Sequence, residues 1–185
     1  GPNFFGGKPD SVRVDGEGRL HLKLKRRGKR WICAEVASVR RYGRGTFRWT
    51  LASGNRPLPP SVVLGLFTCA GEAPPDHREA DIEFLDEGTP EVLFSVQPAE
   101  REGRSRRFPG ALSPGRSTHS MSLRLDRVDF ESGPDKGEVL RWTAETPVEE
   151  GPASAVMNLW LRPGARPPED AHVEVVVERF EFEPE

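Results

Sequence analysis

The residues with the most chemistry in them stand within one nine-residue stretch, His77-Arg78-Glu79-Ala80-Asp81-Ile82-Glu83-Phe84-Leu85. Side chains alternate between the two faces of a strand. His77, Glu79, Asp81 and Glu83 therefore share one face. Ala80, Ile82 and Phe84 share the other, which reads as the core side. An ordinary half-buried strand accounts for the apolar face. It accounts less well for three acids in file, because neighbouring carboxylates repel and at least one has its pKa raised. That leaves a carboxyl holding a proton beside one that does not, the pairing glycoside hydrolysis uses. Residues i and i+4 on a strand have Cα atoms about 13 Å apart, at roughly 3.3 Å per residue. Two Glu side chains leaning together can bring their carboxyls to the about 5–5.5 Å that separates nucleophile and acid/base in a retaining glycosidase. Asp81 stands between them, placed to hydrogen-bond the nucleophile. Spacing alone leaves a second reading open, an acidic solvent-facing edge strand, since charged outer faces are common on antiparallel sheets.

The elements that must position these acids are short. Gly (19) and Pro (18) together make up roughly one residue in five of the 185, a density that interrupts long helices. β-like runs recur between turn signals: 19–25, 31–39, 45–51, 61–69, 79–85, 92–97, 118–125, 128–131, 138–143, 155–161 and 172–182, with a hairpin signal at 132–137. No window carries a long 3.6-residue apolar stripe, nothing repeats, and no linker divides the chain. Many short strands at 8–12-residue spacing predict an all-β sandwich or barrel in a single domain over residues 1–185.

Composition excludes several functions. With 27 basic and 29 acidic residues the net charge is −2, which disfavours nucleic acid as a partner. Mean hydropathy is −0.59, and the longest apolar runs, 61–70 and 173–177, are too short to span a bilayer, so no membrane partner is expected. Two basic clusters, Lys23–Arg30 and Arg101–Arg107, read first as solvated loops. The arginines of the second could alternatively bind sulfate or uronate groups of an anionic glycan. Cys33 and Cys69 form at most one bridge and are expected as free thiols. The four histidines have no metal-motif spacing, and His21, His119 and His172 read as structural. No Gly-x-Ser-x-Gly supports a serine nucleophile.

Glu79-Ala80-Asp81-Ile82-Glu83-Phe84 resembles the Glu-x-Asp-x-Glu signature of glycoside hydrolase family 16, the family of lichenases, laminarinases and xyloglucan endotransglycosylases. Flanking segments agree in order. Ala34-Glu35-Val36 and Tyr42-Gly43-Arg44-Gly45-Thr46-Phe47 resemble the family's Gly-Glu strand and Tyr-Gly turn. Val63–Thr68 resembles the strand before the catalytic one, Thr118-His119-Ser120 a His-Thr-Tyr strand start, Met157-Asn158-Leu159-Trp160 the Met-Asn-Leu-Trp strand, and Val173–Phe182 the last strand.

The resemblance implies a jelly-roll β-sandwich of two curved antiparallel sheets with a concave glycan-binding cleft. It implies a retaining endo-β-glycosidase, hydrolase or transglycosylase, with Glu79 as nucleophile, Asp81 as its helper and Glu83 as acid/base. Glu35, His77, Gln97, Asn158 and Trp160 would line the sugar subsites. Parity agrees, because Asn158 and Trp160 share one face and an indole offers an apolar plate to a pyranose. The chemistry asks for no cofactor, although a structural calcium away from the cleft is compatible with the family. The partner would be a polysaccharide or oligosaccharide, the chain a monomer, and the location secreted or periplasmic. No basic-then-apolar leader opens this sequence at Gly1-Pro2-Asn3. The alternative is a non-catalytic glycan-binding module on the same concanavalin-like fold. One Tyr and four Trp are few for a long cleft and favour that alternative, whereas the three clustered acids favour the enzyme.

Overall fold

The computed structural model describes residues 3–6, 11–70, 79–148, 151–164 and 173–185. All the secondary structure in them is strand, and no helix long and apolar enough to cross a membrane occurs among them. The strands are β1 (Phe4–Phe5), β2 (Val12–Val14), β3 (Leu20–Arg27), β4 (Arg30–Tyr42), β5 (Gly45–Leu51), β6 (Val62–Cys69), β7 (Ala80–Asp86), β8 (Pro90–Val96), β9 (Ser105–Pro109), β10 (Ser117–Leu123), β11 (Val128–Pro134), β12 (Leu140–Ala144), β13 (Ala153–Leu161) and β14 (Val173–Pro184).

Hydrogen bonding runs in the order β12-β11-β10-β5-β14-β3-β4-β13-β6-β7-β8-β9. The path folds into two layers that meet between β3 and β4, which share only the pairs Lys25–Ile32, Arg26–Trp31 and Arg27–Arg30. Inward-facing residues of both layers make one core. Phe47, Trp49, Leu51 and Met121 come from the first layer, and Leu64, Leu66, Ile82 and Phe94 from the second, all fully buried. Phe94 of β8 stacks on Phe130 of β11 with ring centroids 5.2 Å apart, a direct contact between the layers. Burying this much apolar surface is the main stabilising contribution to such a sandwich. The fold is thus the all-β sandwich of curved, mostly antiparallel sheet that the resemblance implied. One pair departs from it: β1 runs parallel to β4.

Three strands go beyond the sequence reading. β1 and β2 are too short for a periodicity to be seen. β9 is a correction: Ser105–Arg107, read as part of a loop, pairs antiparallel with Leu93–Ser95 as an edge strand. Its long charged side chains are the kind that protect an edge. Lys23–Arg27 of the first basic cluster likewise belong to β3, and only the tip around Gly28 is a turn.

Candidate active site

The file of acids lies as its parity predicts. Ala80, Ile82 and Phe84 are buried in the core, and Glu79, Asp81 and Glu83 point to the outer face of the second layer. Glu79 precedes β7, and its carbonyl accepts the Gln97 N–H at 3.0 Å, which ties the backbone of the first acid to the end of β8.

Register sets what stands beside each acid. Glu83 is opposite Gly65 of β6; Gly65 is opposite Asn158 of β13; Asn158 is opposite Glu35 of β4. These four residues form one row across four strands. Gly65 matters here because a Cβ on it would lie 2.5 Å from Asn158 Oδ1. The missing side chain leaves room for Asn158 Oδ1 over β6, while its Nδ2 donates to Glu35 Oε2 of β4 on the other side at 3.3 Å. The same row continues from Glu83 through Leu93 to Arg107. The adjacent row runs Val156–Phe67–Asp81–Ser95–Ser105. Trp160, half-buried and opposite Val63, lies on this face one position beyond Asn158.

Asp81 is the most enclosed of the acids. Its Oδ2 accepts hydrogen bonds from Ser95 Oγ at 2.9 Å and from Gln97 Nε2 at 3.0 Å, and its carboxyl also bonds Glu79. Burial raises its pKa well above the ordinary aspartate range. The charge of Glu79 and the bond to it add to the rise, and the Ser95 and Gln97 bonds only partly oppose it. A protonated Asp81 donating to an ionised Glu79 fits that arrangement. Glu83 is pushed up from 4.5 to about 7, first by burial, with Asp81 adding to the rise to the extent that it is ionised. Arg107 and Arg162 pull the other way. The environment therefore divides the labour: one acid shaped to hold a proton near neutrality, and another with a neutral donor beside it.

The remaining sequence-predicted residues fall as follows. Glu35, Asn158 and Trp160 share the outer face with the acids, the side on which the resemblance implies the cleft. Gln97 is on it too, but as a donor to Asp81, with its own Oε1 accepting the Ala99 N–H at 3.1 Å. His77 lies outside the described residues, as does His172. His119 is buried between the layers, edge-on to Phe84 at 5.0 Å. Its ring nitrogens bond Ser132 Oγ at 2.8 Å and Ser117 Oγ at 2.9 Å, and burial lowers its pKa to about 3. The Arg101–Arg107 cluster disperses. Arg104 donates to the Gln97 carbonyl at 2.6 Å, Arg106 covers the Phe108 ring, and Arg107 pairs with Glu91 and Glu87. Cys33 and Cys69 are both free. Cys33 shares parity with Glu35 yet is fully buried, with its backbone paired to Phe5 of β1. Among the described residues no group of three or more His, Cys, Asp or Glu side chains is arranged to hold a metal ion, so no calcium site is assigned.

Sequence reasoning missed Ser95, Gly65 and the arginines that face Glu83. Ser95 could have been found by parity, two residues before Gln97 on the strand next to the acids. Gly65 and Arg162 become visible only once register is known.

No family model and no curated protein matches the chain. Solved structures do match its fold. A native glycosidic hydrolase superposes with a TM-score of 0.75 at 24% identity, over 96% of this chain and 83% of that one. The Bacillus licheniformis beta-glucanase gives 0.77 at 20% identity over the same shares. A Mycobacterium tuberculosis protein described as an immunostimulatory antigen and pseudo beta-1,3-glucanase gives 0.70 at 16% identity, over 94% and 78%.

Proposed function

We propose that this protein is a retaining endo-β-glycosidase, acting on a β-linked polysaccharide through Glu79 and Glu83. The observation that carries the reading is the unequal protonation built into one strand: Glu83 holds a proton up to about 7, and Glu79 is bonded to an Asp81 that favours its neutral form. In the first step Glu83 gives its proton to the glycosidic oxygen while a Glu79 carboxylate oxygen attacks the anomeric carbon. The C–O bond to the leaving sugar breaks as the glycosyl–Glu79 ester forms. In the second step Glu83, now ionised, takes a proton from water, whose oxygen attacks the same carbon and frees Glu79. An acceptor sugar hydroxyl in place of water gives transglycosylation. Asp81 is a positioning residue: its proton supports the negative charge of Glu79, and Ser95 and Gln97 fix its orientation.

The sugar would lie across the strands, along the row from Glu35 to Glu83. Asn158 Oδ1 is buried against Gly65 and accepts no hydrogen bond among the described residues, a costly state that a turn of the amide toward a sugar hydroxyl would relieve. Trp160 supplies an apolar plate beside it. Like the glycosidic hydrolase and beta-glucanase that share its fold, the chain would take a glycan as partner, as a monomer in a secreted or periplasmic setting. The steps above use carboxyl groups and no cofactor.

A second reading is a glycan-binding module. It is favoured by the pseudo beta-1,3-glucanase among the structural neighbours and by the sparse aromatics of β6, β7, β8 and β13 on the outer face, where Phe67 and Trp160 lie. Hydrolysis assays over β-glucans, galactans and sulfated or uronate polysaccharides, with Glu79→Gln as control, separate the two. Turnover lost in the variant supports the enzyme. Binding without turnover in the wild type supports the module.

A further inference from the structure

Beside Glu83 the cleft face carries a chain of four charged side chains drawn from four separate places in the sequence. Arg162 follows β13, Glu87 follows β7, Glu91 lies in β8 and Arg107 in β9. Arg162 Nη1 pairs with Glu87 Oε1. Arg107 Nη1 pairs with Glu87 Oε2 at 3.5 Å and with Glu91 Oε2 at 2.7 Å. Glu87 thus takes one arginine on each carboxylate oxygen, reaching over β6 on one side and β8 on the other.

The groups facing Glu83 can be named element by element. Its own strand offers Asp81, with Glu79 and Glu87 beyond it in the two directions. β6 offers Gly65, which has no side chain to intervene. Beyond it β13 offers Asn158 and, past its end, Arg162; β4 offers Glu35. On the other side β8 offers Leu93 and Glu91, and β9 offers Arg107. Two guanidinium groups therefore approach a carboxyl that must stay protonated to act. A carboxylate in contact with arginine has its pKa lowered by about 1–3, enough to strip Glu83 of its proton at neutral pH. Burial and Asp81 prevail at Glu83 because the arginines are already engaged elsewhere. Arg107 would keep Glu91 if Glu87 were lost. Arg162 would not keep a partner, since Glu87 is its only ion-pair partner among the described residues.

We propose that Glu87 is a positioning residue that holds Arg162 and Arg107 in ion pairs and so keeps them from pairing with Glu83, leaving Glu83 able to deliver a proton. The proposal rests on the glycosidase reading for its purpose only; the electrostatics is testable without a substrate. The test is a carbon-13 NMR titration of Glu-labelled protein, with the Glu83 carboxyl assigned by its loss in Glu83→Gln. In Glu87→Gln the released Arg162 turns to Glu83, and the Glu83 midpoint falls by about one pH unit or more, to a proton concentration at least tenfold higher. Adding Arg162→Gln to that variant returns the midpoint to the wild-type value or above. An unchanged or raised midpoint in Glu87→Gln, or a double variant that stays low, overturns the proposal. Should Glu87→Gln fail to fold, Arg162→Gln decides: with Arg162 already held by Glu87, a Glu83 midpoint that rises by less than about half a pH unit supports the proposal, and a rise of about one unit or more, the mark of an Arg162 already paired with Glu83, overturns it. If glycan turnover is found, the basic limb of kcat/KM in Glu87→Gln moves to lower pH with the titration. If none is found, the function reading fails while the titration still decides this one.

Discussion

Replacing Glu83 with Gln tests the electrostatics of the site through stability alone. Glu83 has an ordinary pKa of 4.5 in the unfolded chain and about 7 in the fold. A carboxyl whose pKa is raised by folding costs nothing while both states are protonated, below pH 4.5. Between 4.5 and 7 the unfolded chain releases its proton and the folded one keeps it, so stability falls as pH rises, and the loss is complete above about 7. At about 1.4 kcal/mol per pH unit the loss comes to about 3 kcal/mol, and partial solvent exposure brings it to roughly 2–3. Gln has nearly the same shape and no charge, so Glu83→Gln removes this penalty and leaves the one from Asp81 in place. Urea denaturation at pH 4.5, 6, 7 and 8 reads the difference. Wild type and variant should diverge by about 2–3 kcal/mol between the lowest and highest pH, a midpoint shift of about 1–3 M urea at m values of about 1–3 kcal/mol/M. Parallel stability curves would refute the raised pKa, and with it the assignment of Glu83 as the proton-holding acid.

Glu79→Gln and Glu83→Gln should each leave the fold intact and lower turnover by about 10²–10⁴ or more, measured on whichever glycan the wild type cleaves best. Gly65→Ala should push the Asn158 amide off Glu35, raising KM more than it lowers kcat and costing about 1–3 kcal/mol of stability; an unchanged KM would remove Asn158 from the sugar-binding face. His119 is buried neutral with a pKa near 3 against 6.5 unfolded, so its contribution is complete above 6.5 and is lost as pH falls toward 3. His119→Gln should flatten that acid limb in thermal melts. Thiol titration of the unreduced protein should find two reactive groups after denaturation, with Cys33 silent beforehand because it is fully buried.

The acid file was legible because a strand has a period of two and β7 obeys it from Glu79 to Glu83. The Asn158–Trp160 face was legible for the same reason. What the sequence could not carry is register. Gly65 is an unremarkable glycine in an apolar run until pairing sets it between Asn158 and Glu83. Arg162, Glu87 and Arg107 are scattered surface charges until β13, β7 and β9 bring them to one rim. Gln97 was expected to face sugar on the strength of resemblance, and it donates to Asp81, since the end of β8 lies against the start of β7. Cys33 alternates in step with Glu35 and yet belongs to the apolar core, at the stretch of β4 that pairs with β1. The Arg101–Arg107 segment hid a strand because an edge needs pairing on one side only and tolerates charges that a central strand would not.

The most direct test of the central claim is the configuration of the first-formed product. Glu79 and Glu83 stand at i and i+4 on one strand with Asp81 between them, an arrangement suited to direct attack by Glu79. Attack by a carboxylate followed by attack by water inverts the anomeric carbon twice. Proton NMR of a glycan digest, recorded before mutarotation, should therefore show the β anomer first. An initial α anomer would contradict the assignment of Glu79 as nucleophile.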